Sequence, residues 1–201
     1  RELVDIRLRA GGSVVVLIAK LQPDSTITDD YLAKGFVRWK TWKKRPAQHE
    51  RAIVLWPAVE GKSAMDANAI FKREFSHALN EVSKIGKWTV VIDEGLMMCS
   101  PAYFNLGSEV GMMHALMRSA KGTLITCAQR PAHLPLSVYA NVSHAFVGRA
   151  QEAADLKRLA HLDGTSQRQM NELTRDYGVH DFLWVPAGAP QIPSQRVNLT
   201  E

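Results

Sequence analysis

The stretch KWTVVIDEGLMM, Lys87–Met98, decides the fold. From Trp88 to Ile92 every residue is apolar or β-branched, with no alternation of polar and apolar positions. A strand that is apolar throughout is covered on both faces, and such strands build parallel sheets flanked by helices. The run stops at two adjacent carboxylates, Asp93 and Glu94, followed by Gly95. In parallel α/β sheets ligands bind beyond the carboxyl ends of the strands, so the acidic pair stands where chemistry is expected. A solvated sheet rim would also account for it, because short motifs of this kind recur by chance.

Working outward, the same apolar pattern returns in SVVVLIAK (Ser13–Lys20), RAIVLWP (Arg51–Pro57), TLITCAQ (Thr123–Gln129), HAFVGRA (His144–Ala150) and HDFLWVPAG (His180–Gly188). Between them lie helical stretches. Residues 64–85 place Ile70, Phe71, Phe75, Ala78, Leu79, Val82 and Ile85 on one stripe of three- and four-residue steps, and Gly86 ends the helix. Asn105–Gly122 carries the stripe Leu106, Val110, Met113 and Met117, and Ala153–Gly164 is helical as well. Alternating strands and helices predict an α/β fold, a parallel sheet of about five or six strands with helices on both faces. Residues 1–185 are expected to form one core, and the stretch 186–201, rich in Pro, Gln and Ser, a surface tail.

A chain of 201 residues can bury the core of one domain. Its 46% hydrophobic and 22% charged content is that of ordinary globular proteins. The net charge of +5 permits a polyanionic partner without requiring one. Cys99 and Cys127 form no CxxC pair and no metal-ligand spacing with the histidines, which predicts free thiols in a reducing compartment. No apolar run reaches the ~18 residues of a membrane span, and no signal peptide is visible.

The other strand ends extend the search. TCAQRP places Gln129 and Arg130 at the end of its strand; an amide can bridge a water and a phosphate oxygen, and an arginine can hold phosphate at two points. A turn forced by Pro131, with Gln129 as its cap, explains the same residues. Arg149 ends HAFVGRA and could complete a site on a neighbouring subunit or pair with Glu152 or Asp155. Gly61-Lys62-Ser63 precedes a helix and resembles the end of a phosphate loop, but GxxxxGK[ST] needs glycine where Trp56 stands. Ser63 and Asp66 also suit a helix N-cap. In RWKTWKKR the cations Arg38, Lys40, Lys43, Lys44 and Arg45 interleave with Trp39 and Trp42. That pattern suits a nucleic-acid backbone and its bases, or a solvated face whose tryptophans pack inward.

The order of these elements resembles the additional-strand class of P-loop ATPases. VVIDEG followed one helix later by TLITCAQRPAHLP resembles the FtsK/HerA-like motor ATPases, over Arg1 to about Leu162. The resemblance implies a RecA/FtsK-like core that uses ATP and Mg²⁺. It would act on DNA as a homo-oligomeric ring such as a hexamer, in the cytoplasm of a bacterium or a phage-infected host. By resemblance, Asp93 matches the Walker B aspartate that holds Mg²⁺ through water. Glu94 matches the glutamate that polarises the attacking water, and Gln129 the polar sensor. Arg130 and Arg149 match arginines that act across subunit contacts. The family's first strand and Walker A loop precede a helix like RELVDIRLRAGG, which starts without an N-cap and ends at Gly11-Gly12. They are therefore expected upstream of Arg1, and this chain alone is expected to be inactive. AKLQPDS departs from relatives that often place an acidic residue with a lysine there, which leaves Lys20 without an assigned role. Two other functions stay open: a phosphotransferase using Gly61, Lys62 and Ser63, and a non-catalytic module binding nucleic acid or a partner through Arg38–Arg45.

Overall fold

In the computed structural model, residues 2–42, 46, 50–187 and 192–199 are described. The chain divides into two compact units, residues 3–129 and 130–201.

The first unit holds helix α1 (Glu2–Arg9), strand β1 (Ser13–Leu17), α2 (Thr28–Ala33), β2 (Val37–Trp39), β3 (Ala52–Leu55), α3 (Ala64–Ile85), β4 (Trp88–Ile92), α4 (Gly95–Cys99), α5 (Gly107–Leu116) and β5 (Thr123–Thr126). All five strands are parallel, in the order β2-β3-β1-β4-β5. Side-chain alternation divides the core between two faces. Val14, Val16, Ile18, Val54 and Val91 cluster with Val4 of α1, Tyr31 of α2 and Phe36. Val15, Leu17, Ile53, Leu55, Val90 and Ile92, none more than 2% exposed, point the other way. On that side α3 packs against β4 and α5. The rings of Phe71 and Phe75 on α3 meet Phe104 at centroid distances of 5.5 and 5.7 Å.

Helix α3 begins and ends where the periodicity predicts. Ser63 caps its start by accepting the Asp66 amide, and the helix ends at Gly86, whose positive φ of 70° favours glycine. The Lys87 N–H then donates to the Ala120 carbonyl at 2.9 Å, and a side chain at position 86 would press on that same oxygen. The expected stripe of α5 is buried at Leu106, Val110, Met113 and Met117.

Sheet membership differs from the expectation in two places. Val37–Trp39, read as part of an irregular basic stretch, is a strand, disguised by its three-residue length and by Arg38 between two apolar neighbours. HAFVGRA and HDFLWVPAG are not the fifth and sixth strands of the parallel sheet. Their strands β6 (Ala145–Val147) and β7 (Asp181–Val185) pair antiparallel, in a separate three-stranded sheet of order β6-β7-β8. Strand β8 (Gln195–Asn198) lies in the stretch expected as a surface tail; it pairs with β7 through its backbone while its polar side chains stay largely exposed. The physical reason for the misplacement is that short apolar runs carry no record of partner or direction.

The second unit also contains a 3₁₀ turn (Pro131–His133), α6 (Leu136–Ala140), α7 (Ala153–Asp163) and α8 (Gln167–Thr174). Its core joins Val147, Leu156, Leu159, Met170, Leu183 and Val185. Helix α7 ends at Gly164, φ 66°, and α8 opens with a capping box between Ser166 and Gln169.

Candidate functional site at the β4 strand end

The strand order alone locates a crevice. From β1 the chain proceeds to β2 and β3 on one side; from β4 it proceeds to β5 on the other. The connections diverge between β1 and β4, the topological switch point where such sheets open a ligand crevice at their carboxyl ends. Asp93 and Glu94 follow directly on the last residue of β4, at that point.

Backbone hydrogen bonds shape the turn. The Asp93 amide reaches the Leu17 carbonyl of β1 at 3.5 Å. On the other side the Cys127 amide donates to Ile92 O at 2.9 Å, and the Gly95 amide donates to Cys127 O at 2.7 Å. The end of β5 thus brackets the two carboxylates from before and behind. Both side chains are half-buried. Glu94 is the N-cap of α4, and its Oε1 accepts the Leu96 amide at 3.3 Å, near the long limit for such a bond.

Two neighbours were not picked out from sequence. Ile92 pairs with Thr126, so Cys127 lies alongside Asp93. The Cys127 side chain reaches solvent, yet the protein packed around it pushes its thiol up, and the charges of Asp93 and Glu94 push in the same direction. His114 on α5 has its Nε2 3.1 Å from the Thr126 hydroxyl, and burial lowers its pKa to about 4. The ring is therefore neutral at pH 7 and fastens α5 to the last residue of β5. The signal for both was sheet register, which strand prediction does not supply. Cys99 is buried and free, its thiol pushed up to about 11 by burial.

The remaining predicted residues are placed as follows. Gln129 is exposed three residues beyond β5. Arg130 donates from Nε to buried Asp155 at 2.9 Å, and the same carboxylate accepts the Ala132 amide at 2.8 Å. The Arg130 side chain remains 45% exposed. Arg149 is exposed; with the Gln151 amide turned so that its oxygen faces the guanidinium, it donates to that oxygen at 2.9 Å. Arg130, rather than Arg149, is thus the partner of Asp155.

At the end of β3 the side chains serve the fold. Trp56 is buried, its indole N–H donates to Lys20 O at 2.8 Å, and the Arg38 guanidinium lies 3.6 Å from its ring centroid. Gly61 turns at φ 73°, Lys62 is exposed, and the Ser63 hydroxyl donates to Asp66 at 2.7 Å. Lys20 pairs with Asp24 at 3.3 Å, and the Thr26 hydroxyl and amide, with help from Lys20, hold Asp24 down to about 2.

In the basic stretch, Trp39 and Trp42 are buried with rings 5.3 Å apart, and Arg38 also bonds Glu60 at 3.0 Å. Lys40 is exposed. Lys43, Lys44 and Arg45 lie outside the described residues. Among the described residues no helix is long and apolar enough to cross a membrane, and no group of three or more His, Cys, Asp or Glu could hold a metal ion.

A five-stranded parallel sheet in this order, flanked by helices, is an α/β core of the RecA/P-loop kind. Among solved structures, the crystal structure of B204, the DNA-packaging ATPase of Sulfolobus turreted icosahedral virus, matches with a TM-score of 0.63 at 14% identity. The match covers 96% of this chain and 86% of that one. The genome-packaging NTPase B204 of Sulfolobus turreted icosahedral virus 2, solved with AMP, matches with a TM-score of 0.59 at 14% identity, covering 98% and 87%. Its complex with AMPPCP gives 0.58 at 14% identity, covering 96% and 86%. At these identities the likeness establishes the fold. No protein-family model matches the chain, and no curated protein does.

Proposed function

We propose that this chain is the core of an ATP-hydrolysing motor that acts on DNA. The observation that carries the reading is the adjacent carboxylate pair at the β1/β4 switch point, bracketed by the end of β5. The fold neighbours, a DNA-packaging ATPase and an NTPase solved with nucleotides, support the choice of ligand.

The residues suit Mg²⁺ held with a nucleotide rather than a metal caged by protein. Mg²⁺ keeps several waters and is bound through one or two carboxylates plus phosphates, which a half-buried strand-end aspartate provides and a closed cluster would not. Asp93 would hold it, and the ion would neutralise charge developing on the phosphates. Glu94, whose only hydrogen bond to the α4 amides is long, is placed to accept a proton from water and orient it. Gln129 would contact that water or the terminal phosphate. Arg130 and Arg149, both exposed, would reach a neighbouring subunit in a ring; Arg130 is oriented by Asp155. The reading requires a phosphate-binding loop ahead of α1.

The test is hydrolysis by the full-length protein. Glu94→Gln keeps the shape and the cap while removing the base, so it should lower turnover by about 10²–10⁴-fold and spare ATP binding. Retained turnover would sink the assignment. The phosphotransferase alternative loses its support at Ser63, whose hydroxyl is committed to Asp66.

A further inference from the structure

We infer that His114 is a positioning residue for the β4 strand end: its hydrogen bond to Thr126 holds the end of β5, and the end of β5 holds the turn that carries Asp93 and Glu94. A polar ring on an apolar row singles it out. His114 stands four residues after Val110 and between Met113 and Met117, all three buried in the core stripe of α5. Residues three and four apart are neighbours on a helix surface, so an apolar side chain would pack at position 114 as well. An imidazole set there costs free energy unless it is hydrogen-bonded, and its partner is the Thr126 hydroxyl, 3.1 Å from Nε2. Burial lowers its pKa to about 4, so at pH 7 the bond joins two neutral groups.

The position of β5 gives this bond its importance. The strand is four residues long, lies at the edge of its sheet in ladder with β4, and is half-buried at every residue. Cys127, the next residue along, makes two bonds that hold the turn: its amide donates to Ile92 O at 2.9 Å, and its carbonyl accepts the Gly95 amide at 2.7 Å. Gly95 is the first residue of α4, whose N-cap is Glu94. Beyond α4, the Phe104 amide donates to Met97 O at 3.1 Å and the Leu106 amide to Met98 O at 2.9 Å, which ties α4 to the start of α5. The bonds close a circuit from Glu94 through α4, α5, His114, Thr126 and Cys127 back to Gly95. His114 and Thr126 are the side chains that carry it from α5 to β5. Opened there, the end of β5 is left to its short ladder with β4. A group that must orient an attacking water is sensitive to such a change, since a misplacement of about 1 Å can cost 10²-fold in rate.

The kinetic consequence rests on the proposed motor reading, in which Glu94 orients the water; the circuit of bonds does not. The experiment is steady-state ATP hydrolysis by the full-length protein, with amide hydrogen exchange read at Gly95 and Cys127. His114→Leu keeps an apolar filling and Thr126→Val keeps the shape of the strand residue, and each removes the bond. Each should lower kcat by about tenfold or more with the KM for ATP near wild type, and should speed exchange at both amides. The double variant should be no slower than the slower single one, because both remove the same interaction. His114→Gln, whose amide can still meet Thr126, should restore most of kcat and the slow exchange. Thermal unfolding identifies a loss of fold, and Thr126→Val then serves in place of His114→Leu. Wild-type kcat in the folded single variants would overturn the inference, as would a KM that rises while kcat holds, or His114→Gln as slow as His114→Leu. Glu94→Gln separates the two proposals. If it loses turnover while the His114 and Thr126 variants keep theirs, this inference fails and the motor reading stands. If it keeps turnover while they lose theirs, Glu94 is not the group being placed, and the latch is retained as a positioning device for the turn.

Discussion

Two strand ends of one sheet carry polar sequence that suggests nucleotide chemistry, and the structure treats them differently. Beyond β3, Trp56 fills the core and Ser63 caps a helix, so the motif-like residues are taken up by the fold. Beyond β4, Asp93 and Glu94 turn out of the sheet at the switch point, half-buried, with Glu94 held by one long bond. The Ser63 hydroxyl is satisfied within its own helix cap, whereas the Glu94 carboxylate is held by a single long bond to α4 where the connections diverge. The resemblance of Gly61-Lys62-Ser63 to a phosphate loop is local: Trp56 stands where the first glycine of the pattern would be, and Ser63 caps α3.

The strongest attempt to break this contrast is Trp56→Gly, which supplies the glycine that GxxxxGK[ST] lacks. Trp56 is 3% exposed, and its removal opens a cavity and leaves the Lys20 carbonyl without the indole N–H. The expected outcome is a loss of about 3–5 kcal/mol in chemical unfolding and no gain in ATP affinity by calorimetry. A gain would restore the β3 end as a nucleotide site.

His114→Gln sharpens the other side. Burial holds the folded-state pKa near 4, below the ordinary 6.5, so the unfolded chain binds the proton more readily between those values. Stability is full above about pH 6.5 and falls as pH drops toward 4. Gln keeps a partner for Thr126 and does not titrate. Unfolding midpoints from pH 4 to 7 should therefore be flatter in the variant, and an unchanged slope would contradict the buried, neutral ring.

The smallest effect belongs to Ser63→Ala. Loss of the cap should cost about 1 kcal/mol in thermal or chemical unfolding, with hydrolysis by the full-length protein unchanged. A fall in hydrolysis larger than the fall in stability would give Ser63 a role beyond the cap.

Much of this contrast was legible in sequence. The long stripe from Phe71 to Val82 bounded α3, and the uninterrupted run of β4 located both a buried strand and the carboxylates at its end. What was not legible depends on pairing. Nothing in Val37-Arg38-Trp39 announces an edge strand of the parallel sheet, and nothing in HAFVGRA announces an antiparallel partner. Cys127 lies beside Asp93 only because Ile92 is in register with Thr126. Likewise Arg130 and Asp155, 25 residues apart, meet through the turn at Pro131 rather than through any local spacing.

The most direct measurement is phosphate release and ATP affinity in the full-length protein, wild type beside Glu94→Gln and Lys62→Ala. Glu94→Gln should lower turnover by about 10²–10⁴-fold with ATP affinity near wild type, and Lys62→Ala should match wild type in both. Loss of nucleotide binding in Lys62→Ala, with turnover intact in Glu94→Gln, would move the site to the β3 end and contradict the account.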